Sequence, residues 1–462
     1  MRELYDHRRE DDWVAQRFKQ PDMPKCLKAL GGLFSRDYWY RVWIVQELTV
    51  AKRIVVKCGN DSIEGDVLLH VQELILKKDT RSNVLGMCIP GDVYAQSALR
   101  NQGLIEVQTW RDDFLIKDLS LFHCVLYHFH RRSTDPKDKL YGLLGLTSTL
   151  GNPSIEIDYS LTTAQIYTKF ARNEIISSKR LYILPQSQPH LTDLEIPSWV
   201  PDWSVKHTNH FYLQNVSATS FNFTALGESE SEITFLSDAN ILIAKAILIG
   251  SIEDFGGSAG VATGLDLKQA VSTFHDNWRL VGTLPGNPRL NQEAFARTLL
   301  CGKILEDRVG NREMREFLRG ILGGFAELSV EIYPHRILDP ILSEHLNFIH
   351  SEGARDAQTN GIDYDKASES IFWRSWIEAS VAYNWDRRFF IGSSGTMGMA
   401  PETSLKGDII CIPLGCPHPM VLRRANNHYL VVGEAYVDGY MYGKAMELLK
   451  QGELQLRDFE LH

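Results

Sequence analysis

Two β-rich blocks separated by a long helical stretch constrain this fold more than any other feature of the sequence. Residues 240–255 read NILIAKAILIGSIEDF. Residues 387–437 contain RRFFIGS, GDIICIPL, HPMVLRR and HYLVVGEAYV, parted by tight Gly, Pro and Asn turns. Ser220–Leu226 and Glu232–Leu236 alternate in the same manner. Strands recurring about every ten residues suit a small antiparallel barrel. Between the blocks, 265–385 switches to helical spacing, with helices expected at Gln269–Thr283, Gln292–Arg308, Asn311–Ala326 and Ala367–Asn384. The economical solution joins both β blocks in one domain and treats 265–385 as an insertion.

The front of the chain reads differently. Trp13, Val14 and Phe18 form one face of a short helix, which Pro21 and Pro24 interrupt. Ser35 is placed as the N-cap of a helix carrying Trp39 and Trp43. Arg53–Cys58 is a short β-branched strand stopped by Gly59-Asn60, and Asp61–Lys78 returns to helical spacing. Ser160–Lys179 is an amphipathic helix capped by Ser160 or Thr162. The expected class is α+β: a partial α/β fragment, a helical middle region and a C-terminal antiparallel β domain interrupted by a helical insertion. The expected boundaries are 1–78, 79–205, 206–264 with 386–445, 265–385 as the insertion, and 446–462 as a tail.

Composition removes several functional classes. The 462 residues carry 49 Lys+Arg against 58 Asp+Glu, a formal charge of -9. Generic nucleic-acid binding needs a basic footprint, so it is not expected. Residues 1–20 lack an apolar h-region, and no run approaches the roughly 18 apolar residues of a membrane span. The seven scattered cysteines do not form a disulfide framework, and a cytoplasmic protein with reduced thiols is expected.

No P-loop, GxSxG or HExxH signature is present. Gly392–Gly398 reads as a hairpin turn. His123, His128, His130 and Cys124 lack the spacing of a zinc set, so no metal ligands are assigned. Asp138 is placed in a clamp with Arg131 or Arg132, and Glu434 opposite Arg423 or Arg424 across two strands. Trp43 and Glu47 lie one helical turn apart. A carboxylate beside an indole can be partly desolvated and favour a cationic partner. The competing reading is a core Trp with a Glu paired to Arg36 or Arg41.

Ser35–Ala51, SRDYWYRVWIVQELTVA, resembles the closing segment of the fungal heterokaryon-incompatibility (HET) domain, with its RVWxxQE helix. TDPKDKLYGLLGL, the Asp158-Tyr159-Ser160 stretch, PSWVPDWS and the C-terminal GDIICIPLG, PMVLRR and YLVVGEAYVDGYMYGKA are similar, in order, to further blocks of such proteins. The front segments of that domain, SYxWG-like and xWIDAxCINQ-like, have no counterpart here. The resemblance therefore implies a family member lacking the N-terminal half of the domain.

The resemblance implies a role in non-self recognition and programmed cell death, exercised through protein partners such as other HET-family proteins. HET domains distantly resemble Toll/interleukin-1 receptor domains, some of which cleave NAD+ with a glutamate on a WxxxE helix. By that analogy Trp43 and Glu47 would be the catalytic pair, with Glu47 stabilising the ribosyl oxocarbenium ion. NAD+ would then be the substrate, and no resident cofactor is implied.

Overall fold

The computed structural model describes residues 2–82, 84–100, 120–147, 155–187, 193–205, 224–226, 229–236, 240–258, 266–302, 311–350, 377–378, 380–381, 384, 386–393 and 395–462. The class is α+β, as the sequence leads one to expect. The chain divides into two compact units, Met1–Ser160 and Leu161–His462.

The first unit is mainly helical. Helices Asp11–Phe18, Met23–Phe34, Trp43–Val50 and Gly65–Ser82 accompany a two-stranded hairpin of β1 (Val55–Cys58) and β2 (Asp61–Glu64), whose residues are exposed or half-buried. The sequence reading of one strand followed directly by a helix is corrected here. Gly59 adopts a φ of 63° and reverses the chain, so Asp61–Glu64 pairs back on β1 in the register Val55↔Glu64. Gly65 then starts the helix, where a Cβ would strike Ile54 at 2.7 Å. Ser35 is likewise not an N-cap. It ends the helix Met23–Phe34, and its hydroxyl donates to the Gly32 carbonyl at 3.1 Å. Pro24 does not interrupt a helix but occupies the first turn of one, where its missing N–H costs nothing.

The second unit opens with the helix Thr163–Ser178. Thr162 and Gln165 form a reciprocal capping box. Its buried face packs against Trp203 of the PSWVPDWS segment, Tyr167 edge-on with centroids 5.0 Å apart and Phe170 tilted at 5.3 Å. Glu174 on this helix is also buried.

The large sheet is organised by one long strand, β4 (Leu242–Ser258), which follows the short β3 (Ile233–Phe235). The remaining strands are β5 (Arg387–Gly392), β6 (Met397–Pro401), β7 (Ile409–Pro413), β8 (Met420–Ala425), β9 (His428–Glu434), β10 (Tyr436–Val437) and β11 (Gln455–Leu461). The order β4-β11-β9-β8-β7 returns to β4 through a direct β4–β7 pairing, which closes a five-stranded barrel. The far end of β4 pairs instead with β5, which continues into β6 and β10. Register shifts within β4 let one strand serve both layers.

Alternation on β5 separates two cores. Phe389 and Ile391 join Phe274, Phe295 and Phe325 of the helices Leu267–Val281, Pro288–Leu299 and Asn311–Ile332, whereas Phe390 joins Ile247, Ile410, Ile412 and Val421 inside the barrel. The stretch read as a tail is folded: the helix Lys444–Lys450 leads into β11, which pairs along β4 from Gln455↔Leu248 to Leu461↔Leu242. Phe459 and Leu461 are buried there, which supplies the driving force. Residues 220–223 and most of 367–384 lie outside the described residues, so the strand and helix expected there do too.

Candidate functional site

Trp43 and Glu47 fall on the helix Trp43–Val50, one turn apart as expected. Their surroundings differ from the sequence reading. Glu47 is exposed rather than desolvated. It pairs with neither Arg36 nor Arg41; its Oε2 accepts from the Tyr38 hydroxyl at 3.2 Å. Partial burial, reinforced by the Glu47 charge, raises the Tyr38 pKa.

Trp43 is half-buried, and its Nε1 donates to Asp138 Oδ2 at 3.0 Å. The other oxygen of Asp138 accepts from the Tyr159 hydroxyl at 2.7 Å. This carboxylate therefore ties together three segments: the RVW helix, the DPKDKLYG turn and the IDYS stretch. Gly142 lies where a Cβ would approach the Trp43 ring to 3.4 Å, so the turn packs closely on the indole. Tyr141 completes the joint. Its hydroxyl donates to the Asp158 carbonyl and accepts from the Asp158 amide, both at 3.1 Å, and its ring meets Tyr159 edge-on at 5.1 Å.

The Asp138 clamp is real, but its partners are not Arg131 or Arg132. Arg131 is buried and donates to the Trp39 carbonyl at 2.9 Å. Arg132 pairs with Asp37 at 2.7 Å and stacks over Tyr40. Both are held there because Arg132 exchanges main-chain hydrogen bonds with Tyr40 and Val42. That frees Asp138 to face the indole. Its hydrogen bond to Tyr159, with partial burial and the nearby Asp138 and Asp135 charges, pushes the Tyr159 hydroxyl up to about 12.

Among the described residues no group of three or more His, Cys, Asp or Glu side chains is placed to hold a metal. His128 is buried, and burial followed by the charges of Arg131 and His130 drives its pKa well down. His123 instead contacts Ser120 Oγ at 2.9 Å. A cavity of about 360 Å³ lies beside the β1–β2 hairpin, lined by residues including Leu33, Val56, Cys58, Ile63 and Val67. Neither Trp43 nor Glu47 belongs to its lining.

In the second unit the expected cross-strand Arg–Glu pair is replaced by two separate groups, a pair at Arg423 and a trio at Glu434. Glu434 lies opposite Met420, while Arg423 and Arg424 lie opposite Leu430 and Tyr429 at the other end of β8. Arg423 binds Asp408 through two hydrogen bonds of 3.0 and 2.8 Å. Glu434 meets Arg387 at 2.5 Å and His418 Nδ1 at 2.9 Å, and all three side chains are less than 10% exposed. This buried trio bridges β5, β9 and the β7–β8 connection. Gly392–Gly398 joins the antiparallel strands β5 and β6, whose register Ile391↔Met397 makes it a hairpin connection.

Sequence reasoning did not find the convergence on Asp138. Trp43 and Asp138 are 95 residues apart, and no local period links them. The available signal was an aspartate next to two lysines in a turn whose tyrosines and glycine needed a packing partner.

Residues 347–456 match the family model of the Het-6 beta-barrel domain. The chain is also 22% identical over 525 aligned residues to heterokaryon incompatibility protein 6, OR allele, of Neurospora crassa; the alignment covers 98% of this chain and 73% of that protein. No solved structure matches. Of the closed barrel, β7, β8 and β9 lie within the matched residues whereas β4 precedes them, and the resemblance to the fungal heterokaryon-incompatibility family, first carried by short motifs, extends through the matched domain and along the chain.

Proposed function

We propose that this protein acts in non-self recognition between fungal individuals, within the cytoplasmic pathway leading to programmed cell death, and that it acts through protein contacts rather than catalysis. The observation carrying this reading is the match to the Het-6 barrel together with similarity along the chain to a heterokaryon incompatibility protein. The non-catalytic part is supported by Glu47, an exposed carboxylate bonded to Tyr38, beside an indole committed to Asp138. A carboxylate that stabilises a developing cation works best in a preorganised, water-excluded site. The test is co-expression with a full-length relative, with pull-down and colony viability as readouts. Association and lowered viability are expected; loss of both would overturn the reading.

The second reading is NAD+ cleavage by Glu47. It is favoured by one observation, the shared face of Trp43 and Glu47 on one helix. Nicotinamide release by the purified protein, lost in Glu47→Ala, would establish it. Equal background in both proteins would remove it.

A further inference from the structure

The β1–β2 hairpin is a sheet with an open edge. We propose that this edge, the outer side of β1, takes an extended segment of a protein partner as a third strand, and that the segment alternates apolar with acidic side chains. The inference rests on the reading that the protein acts through protein contacts, and it names the form and chemistry of one such contact.

The register decides which main-chain groups face outward. Cys58 and Asp61 close a two-residue turn, and the Gly65 amide donates to the Ile54 carbonyl at 2.9 Å. Bonded positions alternate in an antiparallel pair, so Ile54, Val56 and Cys58 turn their main-chain groups toward β2. Val55 and Lys57 turn theirs away. Among the described residues no hydrogen bond reaches those outward groups, and no third strand joins the pair. A row of unused donors and acceptors is a template for another strand, and a two-stranded sheet gains stability from a third.

The side chains say what that strand would carry. Val56 and Cys58 lie half-buried on one face of β1, and both line the cavity of about 360 Å³ together with Leu33, Ile63 and Val67. Lys57 and Val55 lie on the other face, exposed, Val55 to 43%; Val55 also borders the cavity. An added strand sends alternate side chains to the two faces. Those beside Val56 meet the cavity and gain by being apolar. Those on the opposite face meet Lys57, which has no ion pair among the described residues. Glu64, opposite Val55, is already paired with Arg53, and the charge of Arg2 in the cavity lining acts on it too. Asp61 also lines the cavity but sits at the turn on β2, one strand from the open edge. Carboxylates are therefore favoured across from Lys57. A second copy of this chain suits the edge less well: its β1 would bring another Lys57, and its β2 a Glu64 already held by Arg53.

The experiment uses the full chain and three labelled peptides, followed by fluorescence anisotropy: an alternating glutamate–valine octamer, its lysine–valine counterpart, and the glutamate–valine octamer N-methylated throughout. The plain glutamate–valine octamer should bind best. Val55→Pro removes an outward amide, leaves the bonds to β2 in place, and should weaken binding about tenfold, the scale of one main-chain hydrogen bond. Lys57→Glu should weaken it about three- to fivefold, the scale of an exposed ion pair, and improve binding of the lysine–valine octamer. Lys450→Glu makes the same charge change in the second unit and should leave binding unchanged. Lys57 is exposed and the N-methylated probe needs no variant, so the test stays decisive where Val55→Pro disturbs the hairpin. Equal binding of the lysine–valine or N-methylated octamer, an equal loss in Lys450→Glu, or no binding of the plain octamer would each overturn the proposal. Dimerisation abolished by Val55→Pro would make a second copy the occupant and overturn it as well. Absent peptide binding with intact association to a relative would remove this inference alone. The reverse pattern would remove the functional reading alone.

Discussion

Glu174 offers a quantitative test of how the second unit is held together. It lies on the buried side of the helix Thr163–Ser178 and is 8% exposed. Among the described residues its carboxyl has no hydrogen bond or ion pair. Burial alone raises its pKa from 4.5 to about 7. The folded state therefore holds a proton that the unfolded state releases between pH 4.5 and 7. Stability falls as pH rises through that window and stays low above it. A shift of about 2.5 units at 1.36 kcal/mol per unit gives a loss of about 3 kcal/mol.

Glu174→Gln keeps the shape of the neutral acid and cannot ionise. Near pH 4.5 it should match the wild type. At pH 8 it should be the more stable protein, by up to about 3 kcal/mol, less whatever the amide costs to bury. At about 2 °C per kcal/mol for a unit of this size, the melting difference should approach 5 °C. The assay is thermal melting of both proteins from pH 4.5 to 8.5. Hydrogen exchange of the 163–178 helix should assign the change to this unit, because a two-unit chain need not melt in one step. A melting difference that does not vary with pH, or a glutamine variant less stable at pH 8, would refute the reasoning.

Three further outcomes follow from the same physics. Asp138→Asn should bring the Tyr159 hydroxyl down from about 12 toward the ordinary tyrosine value, read as the ionisation of ring-labelled tyrosine by NMR between pH 9 and 11; an unmoved titration would separate Asp138 from Tyr159. Arg387→Met strands Glu434 in the sheet interior and should cost about 3–5 kcal/mol, whereas Arg387→Met with Glu434→Met should cost less than the single change, measured by denaturant midpoint; additive losses would sink the pairing. Gly398→Ala places a Cβ 2.2 Å from the Tyr436 carbonyl, between β5 and β10, and should cost more than about 2 kcal/mol in the same assay; a neutral effect would contradict the close approach.

Strands β7, β8 and β9 were readable because isoleucine and valine crowd between strong turn residues. The helix Thr163–Ser178 was readable from its spacing and its cap. Strand β6, MGMAP, was not: it has no β-branched residue and ends in proline, and only pairing with β5 on one side and β10 on the other makes it a strand. Strand β2 was hidden for a related reason. Asp61–Glu64 has no strong preference, and the positive φ of Gly59 decides its fate. The helix Pro340–Ile349, capped by Asp339, was missed although its signal was present, an aspartate followed by proline at the first helical position. Where local chemistry and tertiary pairing agree, the element is legible; where pairing alone decides, it is not.

The candidate site shows the same division at the level of side chains. A local rule placed Trp43 and Glu47 on one face, because a helix repeats every 3.6 residues. What each side chain does there is set by segments far along the chain. Arg132 could have taken Asp138, but its main chain is bonded to Tyr40 and Val42, which delivers its guanidinium to Asp37 instead. The carboxylate left over is then shared by Trp43 and Tyr159, both neutral. An ionised group satisfied only by neutral donors keeps its full charge. The partners of Asp138 are thus a consequence of how the arginines were used elsewhere, and no reading of the motif alone could have placed them.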